Sequence, residues 1–269
     1  MTALVEDPLI AGMAIRRLLP LHESSRRLRV LYPECPRVYG VAVMSDVSKR
    51  RWWPLTSAVT TERLDAMFNA AAEEMDSKTA AAQQLAATLA HAVIGRVVAL
   101  VVLEGRAWDT GLENLWVHVD SEGAIDWLGV VDPTLRVLPD DPCQGGEGTV
   151  TLPSEAALAT WIAHRCHRSL APLFERLHAS SGGAVSVATM WHTVGSAIVV
   201  AATQVPMLAG SSEITGMRRG QAVLDALVGF GLPVRGQSPL VGSAGTRGRH
   251  FSRLNRREGL AKLGQPCLS

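Results

Sequence analysis

The sequence is short of the residues that announce a chemistry. Four cysteines in 269 residues, Cys35, Cys143, Cys166 and Cys267, are widely scattered, and no two stand at C-x-x-C spacing. That excludes a disulfide framework and the usual zinc and cluster motifs. Scattered thiols fit a reducing compartment, so a cytoplasmic location is expected. No glycine fingerprint for dinucleotides, no P-loop and no serine elbow occurs, which leaves nucleotide-cofactor and hydrolase readings without a motif. The net charge is +1, so the overall basic excess of a dedicated nucleic-acid binder is missing. The N-terminal residues carry Glu6 and Asp7 and no basic start followed by an apolar run, so no secretory signal is expected.

Apolar residues are plentiful instead, at 47%, with 19% charged. That balance suits a packed globular core and excludes a disordered chain or a coiled coil. Two stretches are apolar enough to raise the question of a membrane. Residues 79–103 carry Gln83, Gln84, His91 and Arg96, and residues 178–212 hold no acid and no Lys or Arg but include His192, Gln204 and Pro206. Both read as buried helices of a soluble core, without membrane insertion.

Hydrophobic spacing organises the rest. Residues 1–30 read as a helical leader, with short strands at 28–31 and 38–44 set apart by Pro33 and Pro36. The run Arg50-Arg51-Trp52-Trp53-Pro54 reads as a loop. Thr60 or Thr61 is the expected cap of a helix to about Asp76, and Ser77 the cap of a long Ala-rich helix to about Leu103. Alternation at 115–119 and 124–130 around Asp120-Ser121-Glu122-Gly123 predicts a hairpin. Residues 132–148 read as a loop. Helices follow from Pro153 to about His178, over 186–208 and over 214–227. With no regular strand–helix alternation, the expected class is α+β, mostly helical with a small central antiparallel sheet. The expected division is an extension over 1–58, a core over 59–230 and a tail over 231–269.

The tail holds Arg235, Arg247, Arg249, Arg253, Arg256, Arg257 and Lys262 against the single acid Glu258. Arginine forks bind carboxylate and phosphate bidentately. Arg247, Arg249, Arg253, Arg256 and Arg257 are therefore ligand-binding candidates for an anionic small molecule, with Trp191 and Glu113 beside them. His192 is the candidate catalytic residue, or an axial ligand to haem or mononuclear iron, and Cys267 is the other metal candidate. His164 and His167 stand three apart on one helix, a spacing that suits a metal.

Several segments, in order, resemble the ferric-siderophore reductase (FhuF-like) family. They are Leu85–Leu103, Gly111-Leu112-Glu113-Asn114-Leu115-Trp116, Ser169-Leu170-Ala171-Pro172-Leu173 and Met190-Trp191-His192-Thr193-Val194-Gly195-Ser196-Ala197. His250-Phe251-Ser252-Arg253-Leu254-Asn255-Arg256-Arg257 resembles the beginning of the family's C-terminal motif, with Arg256 and Arg257 where its adjacent cysteines stand. The resemblance implies an FhuF-like fold and a cytoplasmic protein that binds or reduces a ferric siderophore. It also implies a [2Fe–2S] cluster, for which one tail cysteine is too few. The alternatives are a haem- or metal-dependent enzyme of specialised metabolism and a non-catalytic interaction protein.

Overall fold

The computed structural model describes residues 7–235. Its scaffold is a set of helices whose starts are capped by serines. Ser77, Ser154, Ser186 and Ser212 each accept a hydrogen bond from a backbone N–H in the first turn of the helix that follows. These begin α5 (Lys78–Ala90), α7 (Glu155–Ser180), α8 (Val187–Ala209) and α9 (Glu213–Gly229). Helices α1 (Pro8–Ala11), α2 (Pro20–Val30), α3 (Ser57–Thr60) and α4 (Arg63–Met75) precede them. α5 continues through one π-turn, His91–Gly95, into α6 (Arg96–Glu104). Gly182 and Gly183, both at positive φ, turn the chain between α7 and α8.

The α5–α6 helix is the axis of the core. Val93, Ile94, Val97, Val98, Ala99 and Leu100 are fully buried in it. α8 and α9 pack on α6 and closely on each other. Glycine permits that approach, because a Cβ on Gly220 would stand 2.5 Å from Ala202 Cβ. Both long apolar helices pass the length and hydropathy test for a membrane span; the apolar window is 83% buried in Lys78–Glu104 and 39% buried in Val187–Ala209.

Two small mixed sheets complete an α+β fold. The first has the order β1-β5-β4-β2, built from Val41–Val43, Ile125–Val130, Leu115–Val119 and Trp52–Pro54. β4 and β5 form the predicted hairpin. Asp120 Oδ1 accepts from the N–H groups of Glu122 and Ala124, both at 2.9 Å, and Gly123 takes φ +89°. The second sheet has the order β3-β6-β7, from Ala107–Trp108, Leu135–Val137 and Thr149–Thr151.

The structure corrects several local expectations. Residues 28–30 end helix α2 rather than forming a strand, and the run at 52–54 is strand β2, not loop. β1 pairs parallel to β5, so the sheet is mixed rather than antiparallel, and β6 forms inside the expected 132–148 loop. Strands β1 and β2 lie on the two edges of the first sheet, so residues 41–43 and 52–54 share that sheet with β5 and β4. The corrections at β1, β2 and β6 share one cause: a three-residue strand is decided by its distant partner, not by its own period.

The first sheet has two working faces. Val41, Val43, Trp53, Leu115, Val117, Leu128 and Val130 join the helical core, while Ala42, Met44, Trp52 and Trp127 form a second cluster. Against that second face pack Leu9, Ile10, Met13, Val47 and Trp116.

Candidate functional site

On this second face the hairpin carries an irregularity. His118 pairs with Trp127 and the next residue, Val119, with Ile125. Asp126 is the extra residue of a β-bulge, a feature that re-aims a side chain. Its Oδ1 accepts from His118 Nδ1 at 2.7 Å, and its Oδ2 accepts from Arg37 at 2.7 Å. Arg37 Nε also donates to Asp7 Oδ2 at 2.6 Å, which ties the N-terminal segment to the sheet. The Trp52 ring lies against the His118 imidazole with centroids 5.4 Å apart.

These groups line one cleft of about 480 Å³, together with Trp127, Ser48 and Arg50. That volume is in the range of small-molecule sites. The Asp126 carboxylate accepts the Nδ1 proton and so leaves the lone pair of neutral His118 on Nε2. Nε2 has no partner among the described residues. The cleft therefore presents an oriented imidazole, an indole wall, an exposed serine hydroxyl and the Arg50 guanidinium.

Beneath it, the π-turn of the central helix holds the approach to β1. Arg96 N–H bonds to His91 O, five residues back. A Cβ on Gly95 would stand 2.7 Å from His91 Nδ1, so glycine makes the room. His91 Nε2 donates to Val38 O at 2.7 Å, while the Arg96 guanidinium donates to Gly40 O at 2.7 Å and Asp126 O at 2.8 Å. Burial first, and then the Arg96 charge, pushes His91 down to about 4. Burial also lowers Arg96, to about 10, so it remains charged near neutrality.

The described site candidates Trp191, His192, Glu113, His164 and His167 do not line this cleft. Trp191 is 3% exposed and packs edge-on to Phe174 and His167. His164 and His167 both lie near the Phe230 ring, with centroids 6.1 and 6.2 Å from it. Glu113 is exposed and paired with Arg165, which also binds Asp109 at 2.6 Å. Its neighbour Asn114 is a buried staple. The side chain donates to Asp109 O and Asp132 O and accepts from the N–H groups of Val131 and Asp132. His192 is half-buried on α8. Arg247, Arg249, Arg253, Arg256, Arg257 and Cys267 lie outside the described residues.

Among the described residues no three His, Cys, Asp or Glu side chains gather to hold a metal ion. Cys166 is buried against the Thr110 hydroxyl, and Cys143 lies 3.6 Å from Arg106. These surroundings do not fit a [2Fe–2S] cluster, and we derive no step through one. His118 and Asp126 escaped the sequence reading because hairpin alternation alone places them on opposite faces; only the bulge turns them together. The polar His118 within an otherwise apolar strand was the available signal. No family model, curated protein or solved structure matches this chain.

Proposed function

We propose that the cleft beside Trp52 binds a small planar organic anion and that His118 moves a proton on it. The observation that carries this reading is the Asp126–His118 hydrogen bond, made at a bulge and opening on a cleft of small-molecule size. Arg50 has no ion-pair partner among the described residues and supplies the cation. The indole of Trp52 supplies a stacking surface, and His118 Nε2 is the proton acceptor. The test is a tryptophan-fluorescence titration with 2,3-dihydroxybenzoate and with its ferric complex. Saturable quenching that is lost in Trp52→Phe and weakened in His118→Ala is expected. No quenching by either probe would sink the reading.

The choice of probe follows the resemblance to ferric-siderophore reductases. Within that reading the ligand is a ferric siderophore met in the cytoplasm, bound or reduced with an electron from an external donor. What supports it is that the resembling segments occur in the family's order. They contribute the central helix, the start of β4, α7 and α8. Tight binding of the ferric complex with no binding of free 2,3-dihydroxybenzoate would favour it over a general organic anion.

A further inference from the structure

Arg96 is 3% exposed and does not line the cleft, yet it touches the cleft's main hydrogen-bonding group. Its guanidinium spans two backbone carbonyls on neighbouring chain segments, Gly40 O just before β1 and Asp126 O at the bulge. A bulge interrupts the ladder, and a side-chain donor from another element takes over part of that role here. The π-turn makes this reach possible, since one extra residue in the turn rotates every later side chain about the helix axis. Two further features serve the same arrangement. Gly95 yields to the His91 ring, and a Cβ on Gly40 would stand 2.6 Å from the Trp127 ring. Arg96 Nε has no partner among the described residues, so the guanidinium gives up one bond of its own to hold the two carbonyls.

We propose that Arg96 is a positioning residue for the His118–Asp126 pair, pinning the bulge through the Asp126 carbonyl so that the carboxylate stays aimed at His118 Nδ1. The groups bonded to that carboxylate are His118 on β4 and Arg37 from the segment before β1, while Arg96 from the central helix holds the backbone carbonyl of the same residue; Asp7 and Arg50 are the remaining charges on the cleft. The proposal rests on the reading of His118 as the cleft's acid–base group.

The test is made on the protein without ligand. The downfield Nδ1 proton resonance of His118, assigned by its loss in His118→Asn, reports the hydrogen bond to Asp126. Its exchange rate with water is measured in wild type, Arg96→Lys, Arg96→Gln and Val98→Ala. Lysine keeps the charge but cannot span both carbonyls. Val98 is fully buried on the same helix and touches neither carbonyl's hydrogen bonds, so Val98→Ala reports the effect of general destabilisation. Exchange about tenfold faster in both Arg96 variants and unchanged in Val98→Ala is expected, the ratio set by one charge-assisted hydrogen bond. Wild-type exchange in the Arg96 variants overturns the proposal, as does equal acceleration in Val98→Ala. So does failure of Arg96→Lys to fold, which would assign Arg96 to the fold alone, or absence of the resonance from the wild type. A silent titration with 2,3-dihydroxybenzoate fails the anion-binding reading separately, while the Arg96 coupling would stand.

Discussion

Lowering the pH from 8 to 5 costs this protein stability through His91. The imidazole is held neutral, donating from Nε2 to Val38 O, with the Arg96 charge on the same helix and its pKa pushed down to about 4. In the unfolded chain it titrates near its ordinary value of about 6.5. The folded value is the lower one, so the unfolded state takes up the proton first. The contribution is full above about pH 6.5 and is lost as pH falls toward 4. At pH 5 that difference amounts to about 2 kcal/mol, and residual exposure of the ring reduces it toward about 1 kcal/mol. The comparison is His91→Gln, which keeps a donor for Val38 O and does not titrate. Urea unfolding followed by tryptophan fluorescence at pH 8, 6 and 5 measures both proteins. The variant is expected to be weaker by about 1 kcal/mol at pH 8, and the gap should close or reverse by pH 5. Glu23, Asp65 and Glu113 are held low by Arg27, by Ser180 with Arg176, and by Arg165. Their loss comes at lower pH and cancels between the two proteins. Parallel pH curves for wild type and His91→Gln would refute the reasoning.

Other substitutions test other parts of the fold. Gly195→Ala should destabilise by about 2 kcal/mol or more in urea unfolding, because the added Cβ collides with Val234 O where the chain crosses α8; an exposed helical glycine would gain stability from the same change. Asn114→Ala leaves Asp109 O, Asp132 O and the Asp132 N–H without their partner, while the Val131 N–H keeps the Asn114 backbone carbonyl, and a loss of about 2 to 4 kcal/mol is expected from thermal or urea unfolding. Burial pushes the Cys166 thiol up to about 12, whereas Cys143 is partly exposed. Iodoacetamide at pH 8 should therefore alkylate Cys143 and spare Cys166 in the native protein, and mass spectrometry of the peptides after urea should show both modified.

The sequence by itself determined the long elements. Ser77, Ser154 and Ser186 mark helix starts through a side chain acting on its own first turn, and the Asp120–Gly123 turn sets its hairpin through contacts within five residues. Such signals are local, so they survive without tertiary context. The apolar, charge-poor character of α5–α6 likewise announced a buried helix. What only the tertiary structure decided was every feature that depends on a distant partner. The strand at 52–54 exists because β4 lies beside it, and the strand signal over 38–44 is narrowed to 41–43 by its parallel pairing with β5. Arg96 reads as an oddity in an apolar run until Gly40 and Asp126 are seen to need its donors. His118 and Asp126 meet because a bulge breaks the two-residue period that would have kept them on opposite faces. A period is a property of the chain, whereas a bulge belongs to a pair of strands, and for that reason the candidate site came into view only with the fold.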